Sequence, residues 1–168
     1  GVVALAGGQE YSLAVRSDGS VVAWGSNGSG RLGDGTTTSR LLPTPVVGLT
    51  NITQIAAGAA HSLARRADGT VWAWGNNTSG ELGDGTTTMR TSPVLVASLT
   101  DVVAVDAGST FSVALRADGS VWAWGNNAVG QLGDGTSTSR TTPVQVSGVV
   151  GATQVAAGSE FGVVRTSD

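Results

Sequence analysis

Short apolar runs rich in β-branched and aromatic residues alternate with stretches of Gly, Ser, Thr and Asn along the whole chain. Runs of this length, bounded by turn-forming residues, predict short β-strands. Ile52–Gly58 begins with β-forming residues and ends in small ones, which suits a strand at a crowded axis. Ser62–Arg66 and Val71–Gly75 flank an Asp-Gly pair and predict a hairpin. Pro93–Val96 predicts a fourth strand with proline at its start, where the missing N–H does least harm.

The pattern recurs at intervals of 50 residues without any insertion. A period in this range is typical of repeat proteins, whose units cannot bury their apolar faces alone and must stack or close into a ring. The chain therefore divides into units at 1–50, 51–100 and 101–150, and a partial unit, 151–168, that contains the first two strands. The recurring motifs are Trp-Gly at Trp24, Trp74 and Trp124, Leu-Gly-Asp-Gly around Asp34, Asp84 and Asp134, and Asp-Gly at Asp18, Asp68 and Asp118.

Four strands per unit without helices predict an all-β fold, a β-propeller of four-stranded blades, with three blades and half of a fourth in this chain. The innermost strand of each blade then lines a central channel. An all-β solenoid is the structural alternative. Parallel β-helices have shorter coils and lack the Asp-Gly hairpin, so the propeller is favoured.

The chain carries little charge: 12% of its 168 residues are charged and the formal net charge is −3. This composition provides no basic field for phosphates, so we expect neither DNA nor RNA as a partner. The absence of cysteine excludes disulfides and thiolate chemistry. No apolar run reaches the ~18 residues that span a bilayer, and no basic segment precedes an apolar run at the start, so we expect neither membrane insertion nor a signal segment.

The motifs of the second unit follow one another in a distinctive order. The unit contains Ala-Gly at 57–58, His-Ser-Leu-Ala at 61–64, Asp-Gly-Thr-Val-Trp-Ala-Trp-Gly-Asn-Asn at 68–77, Leu-Gly-Asp-Gly at 82–85 and Pro93. This order resembles the repeat of the regulator of chromosome condensation family, and the match covers essentially the whole chain. The resemblance implies a seven-bladed propeller with blades of about this length, of which this chain would form a part.

Members of that family are interaction platforms with different partners, so the resemblance does not fix a function. They include a nuclear exchange factor for a small GTPase, a plant ultraviolet-B photoreceptor and a secreted bacterial inhibitor of β-lactamases. The exchange factor's GTPase-contacting insertion has no counterpart in these uninterrupted units. The photoreceptor's Gly-Trp-Arg-His-Thr segment is replaced by Gly58–Ser62 and Gly108–Ser112, which lack the tryptophan. We expect neither of these two activities.

His61 is the only histidine, and a side chain that titrates near neutrality is a candidate for acid–base catalysis. The 50-residue offset aligns it with Tyr11, Phe111 and Phe161, so this position requires a ring that packs against the blade. We therefore interpret His61 as blade structure. The same interpretation applies to the repeated tryptophans Trp24, Trp74 and Trp124.

The repeated aspartates Asp34, Asp84 and Asp134 lie in glycine-rich loops, where carboxylates bind calcium in other proteins. Each loop offers one carboxylate and none has the spacing of a known calcium motif, so we predict that the aspartates cap backbone N–H groups in their own turns. Arginines recur six residues later and predict an ion pair within or between blades. These are Arg40, Arg90 and Arg140.

No nucleophile lies at a workable spacing from a base, and the glycine-rich loops lack the lysine of a phosphate-binding loop. The sequence therefore predicts neither an enzyme, a cofactor nor a metal site. Residues that depart from the repeat are free to contact a partner. Trp72 and Trp122, which the first unit replaces with Val22, could stack on a sugar if exposed. The candidate partner contacts are Arg31, Arg65, Trp72, Glu81, Asp106 and Trp122.

Residues 151–168 align with residues 1–18, so the last unit has an unpaired strand edge that invites another chain. We expect a non-enzymatic structural or interaction scaffold, completed by self-association as a ring or filament or by missing sequence. One alternative is a protein-binding or inhibitory module that acts through a propeller rim. A third is a carbohydrate-binding module that uses Trp72 and Trp122. We expect a bacterial protein, at the cell surface or outside the cell.

Overall fold

The computed structural model describes residues 1–167, which form fourteen β-strands. Among these residues no helix is long and apolar enough to cross a membrane. The first strands of the units are β1 (Val2–Gly7), β5 (Ile52–Ala57), β9 (Val102–Ala107) and β13 (Ala152–Ala157). The second strands are β2 (Tyr11–Arg16), β6 (His61–Arg66), β10 (Phe111–Arg116) and β14 (Gly162–Thr166). The third strands are β3 (Val21–Gly25), β7 (Val71–Gly75) and β11 (Val121–Gly125), and the fourth are β4 (Arg40–Pro45), β8 (Arg90–Leu95) and β12 (Arg140–Gln145).

The strands form three four-stranded antiparallel sheets in sequence order, β1 to β4, β5 to β8 and β9 to β12, followed by the two-stranded sheet β13–β14. Each sheet falls within one 50-residue unit. The prediction of an all-β protein with three four-stranded blades and part of a fourth is confirmed. Asp168, the last residue of the partial unit, lies outside the described residues, and the seven-bladed ring stays a prediction.

Successive blades pack face to face, so the core lies between sheets. The first strands β1, β5, β9 and β13 contact one another in turn, and each second strand contacts the first strand of the next blade. In the first junction, Leu13 and Val15 of one blade share a buried cluster with Ile55, Ala64 and Trp74 of the next. The first strands are therefore innermost, as the small residues at their ends predict.

The Asp-Gly hairpins form in each complete blade. In the second blade, Gly69 N–H donates to the carbonyl of Arg66 at 3.0 Å, and Gly69 has a φ of 79°, which glycine adopts at no steric cost. Asp68 Oδ1 accepts from the backbone N–H and the hydroxyl of Thr70 at 3.0 and 2.6 Å. The turn sequence therefore fixes the pairing of β6 with β7.

The fourth strand differs from the prediction at its start. In the second blade it begins at Arg90, three residues before Pro93, so the proline lies inside the strand. The register of β7 with β8 shifts between Ala73 and Gly75, and the pairs on either side are Ala73 with Val94 and Gly75 with Arg90. β8 is also outermost and pairs on one side only. Pro93 is tolerated because this irregular edge requires no N–H from it.

A column of glycines sets the distance between blades at their inner ends. A Cβ on Gly58 would lie 2.6 Å from the carbonyl oxygen of Gly108, and a Cβ on Gly8 would lie 2.6 Å from that of Gly58. Both positions would also collide with the ring of the following aromatic residue, Tyr11 or His61. Close approach of neighbouring blades therefore requires glycine here.

We expect Gly8→Ala to lower the free energy of unfolding by about 2 kcal/mol, because overpacking must separate the first two blades. The adjacent Gly7→Ala is the matched control, since a Cβ there meets nothing within 4 Å and the other units have alanine at this position. Urea unfolding followed by circular dichroism measures both variants. Equal midpoints would contradict this role of Gly8.

Candidate interaction site

A buried asparagine organises the loop that follows each third strand. Asn77 Oδ1 accepts from the N–H of Leu82 at 3.0 Å, while its Nδ2 donates to Asp84 Oδ1 and to the carbonyls of Thr86 and Thr88 at 3.1, 3.0 and 3.1 Å. The side chain is fully buried. Sequence reasoning missed this role, although recurrence at the 50-residue period could have indicated it. The equivalent residues Asn27 and Asn127 make the same contacts.

The loop aspartates each accept from a threonine and an arginine of their own blade. Asp84 Oδ1 accepts from the N–H and hydroxyl of Thr86 at 3.0 and 2.7 Å, and Asp84 Oδ2 lies 2.7 Å from Arg90. Burial opposes the charged carboxylate, but the hydrogen bonds from Thr86 and Arg90 outweigh it and lower the pKa of Asp84. The predicted ion pair is confirmed and lies within a blade. The other two pairs, Asp34 with Arg40 and Asp134 with Arg140, are both 2.6 Å apart.

The rigid loop presents one main-chain carbonyl to the next blade. Trp74 Nε1 donates to the carbonyl of Arg31 at 2.8 Å, and Ser62 Oγ donates to the same oxygen at 2.9 Å. Trp74 is fully buried, and a Cβ on Gly33 would lie 2.8 Å from the indole nitrogen. Each junction between complete blades therefore contains an indole inserted beside a loop. In the second junction Trp124 and Ser112 donate to the carbonyl of Glu81, both at 2.8 Å.

His61 belongs to the same junctions. Its ring is buried, and its Nε2 lies 3.0 Å from Ser112 Oγ. Because that hydroxyl gives its hydrogen to the carbonyl of Glu81, the His61 Nε2 is the donor in this contact. Tyr11 in the preceding blade donates its hydroxyl to the carbonyl of His61. Burial lowers the pKa of His61 to about 4, so the ring is neutral at pH 7 and links three blades.

The two acidic residues among the candidate partner contacts are used inside the fold. The Glu81 carboxylate accepts from Asn76 Nδ2 at 2.7 Å and from the N–H of Ser79 at 2.8 Å, and the residue is 1% exposed. Asp106 Oδ2 accepts from the N–H of Ala157 in the next blade at 2.8 Å. Glu81 is therefore inaccessible to a partner, and Asp106 holds two innermost strands together.

The two basic candidates join neighbouring blades. Arg31 Nη1 donates to the carbonyls of Gln9 and Ala59 at 3.1 and 3.2 Å, and Arg65 Nη1 reaches the carbonyl of Val102 at 3.4 Å. Both residues are half-buried. These contacts lie at successive junctions, so the structure does not bring the two arginines together into one site.

Trp72 and Trp122 are half-buried, whereas the carbohydrate-binding alternative requires exposed rings. The guanidinium of Arg66 lies over the Trp72 ring at 4.9 Å from its centroid, and that of Arg116 lies over Trp122 at 6.0 Å. A sugar stacks on an open ring face, and each arginine is placed over one face of its tryptophan. The geometry therefore does not favour the carbohydrate-binding alternative.

The first and last sheets expose residues whose equivalents are buried at the internal junctions. Leu5 on the first blade is 71% exposed, whereas Ile55 is 7% exposed, and Trp24 is half-buried where Trp74 is fully buried. On the partial blade, Phe161 is 60% exposed against 1% for Phe111. We call the first surface the leading face (Val2, Leu5 and Trp24) and the second the trailing face (Phe161 and Val163).

Within residues 1–167 no group of three or more acidic or histidine side chains is arranged to hold a metal ion. The exposed residues of the leading and trailing faces make this pair of apolar blade faces the candidate site of the chain.

Comparison with known proteins agrees with this architecture. The family model described as the regulator of chromosome condensation (RCC1) repeat matches residues 18–65, 68–115 and 118–164. A second model with the same description matches residues 2–31, 52–81 and 102–131. The matches recur at the interval of the blades.

Solved structures share the fold. Yeast RCC1 (Prp20) bound to Kap60 superposes with a TM-score of 0.85 at 26% identity, covering 98% of this chain and 41% of that one. Saccharomyces cerevisiae Prp20p, from a study of its binding to Gsp1p and histones, gives 0.85 at 25% identity, covering 97% and 43%. Human WBSCR16 gives 0.70 at 21% identity, covering 99% and 58%, and shows the fold alone. The chain spans about two fifths of the length of the yeast proteins.

Trp74→Ala should lower the free energy of unfolding by about 4 kcal/mol, because it leaves a cavity at a junction and removes one of the two donors to the Arg31 carbonyl. Trp24→Ala removes the same side chain from the same motif, but in this structure Trp24 contacts no preceding blade. We therefore expect a clearly smaller loss of unfolding free energy. Urea unfolding at equal protein concentration compares them. If both substitutions lower the free energy of unfolding equally, the indole stabilises its own blade and not the junction.

Stability should fall as the pH drops from 6.5 towards 4, because the unfolded chain binds a proton at His61 before the folded chain does. The shift of the His61 pKa from 6.5 to about 4 corresponds to about 3 kcal/mol, which is lost progressively below pH 6.5 and completely only below pH 4. His61→Phe, with the ring found at Phe111, should remove this slope. Unfolding free energies at pH 7 and pH 4.5 test it, and an unchanged slope in the variant would assign the loss to other groups.

Proposed function

Since the chain belongs to the regulator of chromosome condensation repeat family, we propose that it is a non-enzymatic interaction scaffold, a propeller segment completed by further blades. The blades come from self-association of the chain or from additional sequence. In this function the chain performs no chemistry of its own, and its partners are proteins.

The exposure of the two blade faces carries this proposal. Leu5 and Val2 on the leading face are 71% and 56% exposed, and Phe161 and Val163 on the trailing face are 60% and 54% exposed. Exposed apolar surfaces of this kind mark interaction sites. The faces are different surfaces of one molecule, so a contact between them is head-to-tail and produces a closed ring or an open filament.

The relatives support the choice of protein partners. Yeast RCC1 (Prp20) binds Kap60, and yeast Prp20p has been studied for its binding to Gsp1p and histones. This chain has a formal net charge of −3, which is unsuited to binding phosphate backbones. A location outside the cell or at the surface of a bacterium stays part of the proposal and rests on the low charge and the uniform repeat.

A rim-binding module is a second candidate, because Leu41 and Leu42 depart from the repeat. They are 97% and 76% exposed on the outermost strand of the first blade, where the other blades have Thr91-Ser92 and Thr141-Thr142. An exposed leucine pair on an edge strand provides a small apolar contact for another protein.

Size-exclusion chromatography with light scattering tests self-association. We expect a mass above the 16.6 kDa of one chain, and a return to that mass in Leu5→Glu, because a charge on the leading face blocks apolar contact. Leu41→Glu is the matched control, since it places the same charge on a residue that is 97% exposed at the rim.

A monomer at every concentration would contradict self-association. A mass that falls in Leu41→Glu and not in Leu5→Glu would move the contact to the rim. Either result leaves the family membership intact and changes only the assembly.

A further inference from the structure

The second blade carries a basic group and an apolar surface side by side, at the outer end of its junction with the first blade. Trp72 on β7 pairs with Ala64 on β6 and with Leu95 on the outermost strand β8, so these side chains project from one face of the sheet. Arg66 follows Ala64 by two residues and shares that face, with its guanidinium 4.9 Å from the Trp72 ring centroid. We call this surface the outer patch (Arg66, Trp72 and Leu95).

The outer patch is anchored in the core and still reaches the surface. Trp72 packs against the buried cluster of the first junction. Leu95 is 49% exposed, and Arg66 and Trp72 are half-buried. Both blades of this junction are complete four-stranded sheets. The exposure of the outer patch is therefore a property of the junction itself.

Arg66 is a cation without an acid. Its Nε donates to the carbonyl of Thr50 at 3.3 Å. Within residues 1–167, Arg66 forms no ion pair and its Nη1 and Nη2 donate to no acceptor. Asp68, two residues further along the chain, instead accepts from the N–H and the hydroxyl of Thr70. Two charged nitrogens of Arg66 therefore remain available to a ligand.

The next junction contains the acid that Arg66 lacks. Arg116 stands in the place of Arg66, and its guanidinium lies 3.4 Å from Asp101 and 3.7 Å from Asp118. The 50-residue offset places Asn51 where the third unit has Asp101. This departure from the repeat removes a neighbouring carboxylate from the outer patch.

A second departure from the repeat makes the same patch more apolar. Trp122 of the third blade pairs with Gln145, whereas Trp72 pairs with Leu95. Asn51 and Leu95 thus act on one surface: the first leaves the cation uncompensated, and the second extends the apolar area beside it. Tryptophan and arginine are also the residue types that dominate the binding energy of protein interfaces.

We propose that the outer patch binds a peptide segment of a partner protein in which a carboxylate stands beside a large apolar side chain. The carboxylate accepts from Nη1 and Nη2 of Arg66, and the apolar side chain packs on Trp72 and Leu95. The cation–π contact holds the guanidinium over the ring before the peptide arrives. This proposal goes beyond the scaffold function, because the patch lies at an internal junction and not on the leading or trailing face.

The charge of Arg66 decides which peptides fit. A basic segment would be repelled by the guanidinium. A purely apolar segment would cover the guanidinium without a counter-charge, and desolvation of an unpaired cation opposes such binding. Only a segment that carries both groups satisfies the whole patch.

Selection from a phage-displayed library of random peptides tests the proposal, with the wild-type protein and Asn51→Asp used in parallel. Asn51 and Asp101 have φ values of 56° and 58°, so aspartate fits the turn and supplies the acid found beside Arg116. We expect the wild-type protein to enrich peptides with Asp or Glu next to Leu, Ile, Phe or Trp, and Asn51→Asp to lose this enrichment. Absence of such peptides, or equal enrichment by both proteins, would overturn the proposal.

Fluorescence anisotropy with a fluorescein-labelled peptide from that selection measures each contact. Arg66→Gln and Leu95→Gln should each weaken binding at least roughly tenfold, and so should replacing the peptide's acid by its amide. Arg116→Gln is the matched control, since it makes the same change at the next junction and should leave binding unchanged. Full binding by Arg66→Gln, or a loss in Arg116→Gln equal to that in Arg66→Gln, would place the contact elsewhere.

Light scattering separates this proposal from self-association. Asn51→Asp should have the same mass as the wild-type protein, because the outer patch is distinct from the leading and trailing faces. A lower mass in this variant would make the patch a contact between copies and overturn the assignment to a peptide partner. A monomeric wild-type protein that binds the acidic peptide would support the outer patch and contradict only self-association.

Discussion

The hydrogen bond from a tryptophan indole to a loop carbonyl of the preceding blade is the interaction on which this structure depends. Trp74 reaches the carbonyl of Arg31 because the loop that carries Arg31 is held in one conformation. The Asn27 side chain holds it, since it accepts from the N–H of Leu32 and donates to Asp34 and to two threonine carbonyls. These hydrogen bonds lie in a buried or half-buried environment. Removing one partner therefore leaves polar groups of other residues without a hydrogen bond.

Local chemistry made the strands, the hairpins and the ion pairs predictable. The turn at Asp68 uses contacts two residues away, and the pair of Asp84 and Arg90 spans six residues. Burial was less predictable, because it depends on neighbours distant in sequence or on the path of a loop. Glu81 departs from the repeat and was a candidate partner contact, but Asn76 and Ser79 donate hydrogen bonds to its buried carboxylate. Likewise, Trp72 is half-covered by an arginine on the adjacent strand.

The exposed apolar faces of this chain arise from position and not from special residues. Leu5 and Ile55 have equivalent places in their blades and similar side chains, yet one is 71% exposed and the other 7%. The difference is the preceding blade, which covers only the second. A blade face is therefore core or binding surface according to whether a neighbour is present, as expected of quasi-one-dimensional repeats. In the proposed assembly, a further blade makes the same kind of contacts that hold the blades of this chain together.

The same reasoning explains why one position of the junction varies freely. Arg31 and Glu81 are a basic and an acidic residue, although each stands where the next blade's indole is received. The acceptor is the main-chain carbonyl, which every residue possesses, so the side chain can change without altering the junction. Arg31 and Glu81 use their side chains for other bonds, to neighbouring backbone carbonyls and to the loop itself. Because the receiving group is backbone, the specificity of the junction lies in the indole that is delivered to it.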